Sequence, residues 1–97
     1  MRRRTLERIQ QAVRDGNYDM TAHAVEEMAE DQLDIADVEA GILSGALVKT
    51  AKDDPRGKRY AVHGIGADGQ TPVGTVGRFT GAERYLIITV YEVTEAE

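Results

Sequence analysis

The chain has 97 residues, 12 basic and 17 acidic for a net charge of −5, with no cysteine, no tryptophan and one phenylalanine. That length holds one modest core, so a single domain over 1–97 is expected, and a nucleotide cleft walled by two lobes is excluded. The missing cysteines exclude disulfides, thiolate nucleophiles and Cys-ligated zinc. No apolar run approaches the ~20 residues of a membrane span, and an amphipathic segment rather than a signal core follows the first arginines, so the expectation is a cytoplasmic protein without a membrane partner.

Leu6, Ile9 and Val13 recur at helical spacing, which predicts an amphipathic helix over 3–14 that Gly16-Asn17 stops. Thr21 is suited to cap a second helix in which Ala24, Val25, Met28, Ala29 and Gln32 share one side, with His23, Glu26, Glu27 and Glu30 opposite. Asp34 caps a third, with Leu33 packing back onto Val38. Val38, Ile42 and Leu43 then face the core, and Gly45 closes the helix.

After Gly45 the apolar period becomes two. Strands are expected over 46–51, 58–65, roughly 72–79 and 84–93, with turns at Asp53-Asp54-Pro55-Arg56-Gly57, Asp68-Gly69 and Gly81-Ala82-Glu83. Gly74 and Gly77 weaken the third strand and allow a bulge or a close backbone approach. The last strand is apolar on both faces and should be central. The expected fold is α+β, three N-terminal helices packed on a four-stranded antiparallel sheet.

Charge falls in blocks. Arg2, Arg3, Arg4, Arg8 and Arg14 precede a run from Asp15 to Glu39 that holds nine acids and no lysine or arginine; Lys49, Lys52, Arg56, Lys58 and Arg59 then cluster around Asp53 and Asp54. Such basics, with Tyr60 adjacent, suit a phosphate backbone and a stacked base, although turn residues are ordinarily charged merely because they are solvated. Lys49, Lys58, Arg59 and Tyr60 are the candidates for nucleic-acid contact. His23, Glu27 and Asp31 stand at i, i+4 and i+8; two of them can chelate a metal, but the third lies too far along the helix to join, and an exposed acidic face is the simpler reading, so no metal or other cofactor is expected. His63 falls on the second strand with Arg59, where a plain surface position is the default. Gly64-Ile65-Gly66 lacks the helix that a dinucleotide fingerprint needs.

Tyr18-Asp19-Met20-Thr21-Ala22-His23-Ala24, then Met28, then Leu33-Asp34-Ile35-Ala36-Asp37-Val38-Glu39, and finally Thr89-Val90-Tyr91, resemble the bacterial and archaeal domain of unknown function 4258 family. Its members read as a short strand, H-A-x-x-R-M-x-x-R, a capped helix with I-S-x-x-D-V, and strands ending near T-V-Y. The resemblance covers 18–93. It implies a likeness to the RelE and barnase-type ribonuclease-toxin fold and, with it, metal-independent cleavage of RNA. Carried over, His23 is the acid or base, Tyr91 orients a phosphate or stacks a base, and an antitoxin-like protein partner is implied. Glu27 and Asp31 stand where the family has arginines, so the phosphate charge must be met from the strands, by Arg59, Arg78 or Arg84. His23, Arg78 and Tyr91 are thus the catalytic candidates, with activity reduced or lost as part of the expectation. The alternative is a non-catalytic module that binds a protein or a second copy of itself; two unblocked sheet edges make a homodimer the expected form of that.

Overall fold

A computed structural model describes residues 4–52, 54–81 and 83–94. Arg2, Arg3, Asp53 and Ala82, which enter the expected first helix, arginine block and turns, lie outside those residues. Helix α1 spans Thr5–Arg14 and buries Ile9, Ala12 and Val13; the chain leaves it through Gly16 at a φ of 73°, where a side chain would be strained.

Here the fold departs from expectation. Residues Tyr18–Met20 form a strand, β1, that pairs in parallel with the last strand, Tyr18 opposite Tyr85 and Met20 opposite Ile87. The Tyr85 N–H donates to the Asn17 carbonyl and the Thr21 N–H to the Ile87 carbonyl, at 3.1 and 3.0 Å. Three residues show no periodicity; the family pattern opens on a short strand at this place, but the expected four-stranded sheet left it out. With β2 (Ala46–Ala51), β3 (Arg59–Ile65), β4 (Pro72–Gly81) and β5 (Arg84–Glu92) the order is β1-β5-β4-β3-β2. The sheet is therefore five-stranded and mixed, not four-stranded and antiparallel, and the helices are interspersed with strands in the chain order.

Helix α2 (Ala22–Glu30) starts at Thr21, whose hydroxyl accepts from the Ala24 N–H at 3.0 Å and donates to the Ile88 carbonyl at 3.1 Å. Ala24 is buried and Met28 packs on the core, but Val25 and Ala29 are exposed, and Gln32 lies past the helix at a φ of 59°. The buried side is rotated because Glu27 and Asp31 turn towards β5. Glu27 Oε1 accepts from the Val90 N–H at 3.1 Å and Asp31 Oδ2 from the Glu92 N–H at 2.8 Å. β1 ends level with Ile87, so these amides would otherwise be an unpaired edge. Two carboxylates of α2 extend the ladder where β1 stops.

Helix α3 (Ile35–Leu43) opens with the reciprocal Asp34–Asp37 capping box and buries Val38 and Ile42 completely, while Leu43 is half-exposed at its end. Asp37 also accepts from the Ala67 N–H, tying α3 to the β3–β4 turn. The helix lies so close on β3 that a Cβ at Gly64 would fall 1.9 Å from the Gly41 carbonyl oxygen. The core unites Ile9, Val13, Val38 and Ile42 with Val62, Val73, Tyr85, Ile87 and Val90 of the sheet. All three helices pack on this face. No helix among the described residues is long and apolar enough to cross a membrane.

Candidate functional site

The opposite face of the sheet is open, and pairing sorts its side chains into three rows. At one end Arg59 of β3 sits opposite Ala51, and Arg78 of β4 opposite Leu86, which is itself opposite Asp19 of β1. The middle row is Lys49, Ala61, Val76 and Thr89; the far row is Ala46, His63, Gly74 and Tyr91. A β5 bulge between Ile87 and Thr89 keeps Tyr91 on this face after Leu86 and Ile88. Four residues separate the end rows along β3 and β4, roughly 13 Å at 3.3 Å per residue.

In the far row Gly74 lets two side chains meet across a strand. The Tyr91 ring lies over it, so that a Cβ there would be 2.4 Å from ring carbons. The Tyr91 hydroxyl thereby reaches His63 Nε2 at 2.7 Å, the two rings edge to face. Burial holds the Tyr91 phenol above its ordinary 10, so at neutral pH it is protonated and able to donate to His63 Nε2.

At the near end the β2–β3 connection delivers arginines. Asp54-Pro55-Arg56-Gly57 is a β-turn closed by the Gly57 N–H on the Asp54 carbonyl, with proline at its second position. The Asp54 carboxylate accepts from the Arg56 N–H at 2.9 Å and stands 3.6 and 3.5 Å from the guanidiniums of Arg56 and Arg59. That amide bond and the two cations hold its carboxyl below the usual range. Arg56, Arg59 and Arg78 then face one another across a cleft of about 130 Å³ floored by Leu86 and Ile88, with Thr21 at its margin. A second depression, about 180 Å³, lies between Lys49, Ala51, Arg59, Ala61 and Val76. Lys49 and Arg78 meet no carboxylate among the described residues. Asp19, the nearest acid in the row, is already bonded by Arg84 through two nitrogens at 2.8 and 2.9 Å, a pairing that lowers the Asp19 pKa and raises that of Arg84.

The sequence candidates divide accordingly. Arg78, Tyr91, Lys49 and Arg59 share the open face. His23 does not join Tyr91: it sits on the first turn of α2, largely exposed, with Nε2 3.0 Å from Glu27. Glu27 and Asp31 are occupied by β5 amides rather than poised as a metal pair, and among the described residues no three His, Cys, Asp or Glu side chains gather as a metal site. Tyr60 points to the helix-covered face, packed edge-on against Phe79 at 6.1 Å, so no base can stack on it from the Arg59 side. Lys58 is exposed just ahead of β3. Two members of the site were weighed from sequence but not kept as candidates: His63, given a surface strand position by default, and Arg56, one of the basics around the turn before β3.

Comparison with curated proteins and with solved structures finds no match. A family model does match over residues 20–92, from the end of β1 to the end of β5. The chain thus belongs to the family described as Domain of unknown function (DUF4258).

Proposed function

We propose that this protein binds single-stranded RNA along the open face of its sheet and cleaves it by proton transfer at the His63–Tyr91 pair. The observation that carries the reading is the 2.7 Å bond between those side chains on the same face as Lys49 and Arg78, cations that meet no carboxylate among the described residues. In the reaction, the ribose 2′-oxygen attacks the adjacent phosphorus. The Tyr91 oxygen takes the 2′ proton while passing its own to His63 Nε2. The P–O5′ bond breaks, and the leaving 5′-oxygen takes a proton from water. The imidazolium returns its proton to the hydroxide so formed. The products are a 2′,3′-cyclic phosphate and a 5′-hydroxyl. Lys49, one row away, meets the charge that builds on the phosphate, and the arginine row holds a neighbouring one. The acidic block on the helices opposes nucleic acid and leaves the open face as the favoured side of approach. The reading keeps the ribonuclease-toxin likeness implied by the family motifs and moves the proton-transfer role from His23 to His63.

A fluorescent oligoribonucleotide incubated with purified protein in EDTA tests it. His63→Ala is expected to lower the cleavage rate by about 100-fold or more, the usual scale for a general acid–base group, while His23→Ala stays within about twofold. Equal losses in the two variants, or no cleavage by the wild type, would overturn the catalytic reading. Retained RNA affinity without cleavage would leave a binding module.

A further inference from the structure

We infer that the cleft between Arg56, Arg59 and Arg78 seats a terminal phosphate group, a phosphomonoester dianion at one end of an RNA strand. The inference rests on the reading of the open face as an RNA surface and adds to it a preference for phosphorylated ends. Three features of the cleft carry it. Its charge comes from three guanidiniums and one carboxylate, a surplus of two positive charges, which matches a dianion rather than the single charge of an internal diester. Its volume, about 130 Å³, is below the roughly 300 Å³ at which small-molecule pockets begin, so one phosphate group enters and a whole nucleotide does not. Its arginines are gathered by one acid: Asp54, with a side chain only 10% exposed, is held by the Arg56 amide of its own turn and stands 3.6 and 3.5 Å from the Arg56 and Arg59 guanidiniums.

Arg78 differs from the other two. It projects from the middle of the sheet with no carboxylate partner among the described residues, so its donors remain for an incoming oxygen. The Arg59–Asp54 and Arg56–Asp54 distances are longer than an optimal charge-assisted bond of 2.7–2.9 Å, so a phosphate can draw both guanidiniums forward. Thr21, at the margin, is also the N-cap of α2, which brings the positive end of that helix to the same place. Leu86 and Ile88 give an apolar floor that limits competition from water. Asp54 is a positioning residue here, and the three arginines are the contacts.

The test measures binding apart from cleavage. Fluorescence anisotropy is read on the His63→Ala protein, which leaves the RNA intact, with one short oligoribonucleotide prepared 5′-phosphorylated, 3′-phosphorylated and with hydroxyls at both ends. One phosphorylated form is expected to bind about tenfold or more tightly than the hydroxyl form, and which one it is identifies the end. Inorganic phosphate at millimolar concentration should erase the difference. Adding Arg78→Ala should abolish the preference, weakening the phosphorylated form about tenfold more than the hydroxyl form. Arg78→Lys, which keeps the charge and loses the fork, should retain only part of it. Thermal unfolding of each variant identifies any that has lost its fold, and the phosphate competition stands independently of the variants. Equal affinity for all three oligonucleotides would overturn the inference, as would a loss in Arg78→Ala that is the same with and without the terminal phosphate. A wild type that shows the preference but never cleaves would sink the catalytic reading alone. Cleavage without the preference would sink the cleft alone.

Discussion

The two faces of the sheet use the same device for opposite ends. On the covered face the Tyr85 ring lies over Gly77, where a Cβ would be 2.5 Å from the ring; on the open face the Tyr91 ring lies over Gly74 in the same way. Tyr85 is fully buried among Phe79, Ile87 and the helices, and its hydroxyl has no hydrogen-bond partner among the described residues. Tyr91 is half-buried, and its hydroxyl is bonded to His63. A glycine on a pleated strand gives an aromatic ring a seat. Whether that ring then serves packing or chemistry depends on what lies above it. Above Tyr85 stand three helices, and above Tyr91 no described element.

The largest expected effect is on the truncated rings. Tyr85→Ala should cost about 3–5 kcal/mol in urea unfolding, as other large aromatic truncations in cores do, whereas Tyr91→Ala should cost no more than about 1. Similar losses would mean that the open face is covered in solution. The two glycines come next. Gly77→Ala forces a methyl against the Tyr85 ring and 2.6 Å from the Leu86 carbonyl oxygen, neither of which can retreat, for about 1–3 kcal/mol. Gly74→Ala meets Tyr91 first, its three nearest atoms all belonging to that ring and hydroxyl, which is free to swing outward. Its stability should hardly change while RNA cleavage falls to the level of Tyr91→Phe or lower, and unchanged cleavage would dissociate the His63–Tyr91 bond from activity.

Tyr85→Phe removes a buried hydroxyl that finds no partner and should raise stability by about 1 kcal/mol, while Tyr91→Phe should not. The smallest effect is the alkaline one. Burial lifts the Tyr85 phenol far above its ordinary 10, with the neighbouring Tyr60 adding to it, and lifts that of Tyr91 by burial too. An acid whose folded pKa lies above its unfolded one favours the folded state while protonated, so this contribution is whole below pH 10 and is lost as pH rises beyond it. Unfolding followed from pH 9 to 12 should show a falling midpoint, flattened in Tyr85→Phe and less so in Tyr91→Phe. The same slope in both variants would count against the difference in burial.

Local chemistry made much of this legible. The caps at Thr21 and Asp34 are side-chain hydrogen bonds within three residues, and the turn at Asp54-Pro55-Arg56-Gly57 is closed by its own amides, so each is written in a short stretch of chain. The α2 face was harder. Val25 and Ala29 read as buried by period, but Glu27 and Asp31 are drawn to β5 by amides at Val90 and Glu92, more than sixty residues away. The same two acids read as a repulsive substitution for phosphate-binding arginines, and in the fold they complete a sheet edge. His63 read as a surface strand residue because its partner lies across Gly74 on a third strand.

Sequence by itself determined the three helices, the four longer strands and the segregation of acidic helix from basic hairpin. These follow from period, capping and turn residues, which act over a few positions. Tertiary structure alone decided that Tyr18–Met20 joins the sheet in parallel with β5, that Tyr60 turns inward while Arg59 turns out, and that Tyr91 meets His63 rather than His23. Each is a matter of register between strands distant in the chain. Register is chosen by the summed burial of the whole covered face, which no local stretch of residues contains.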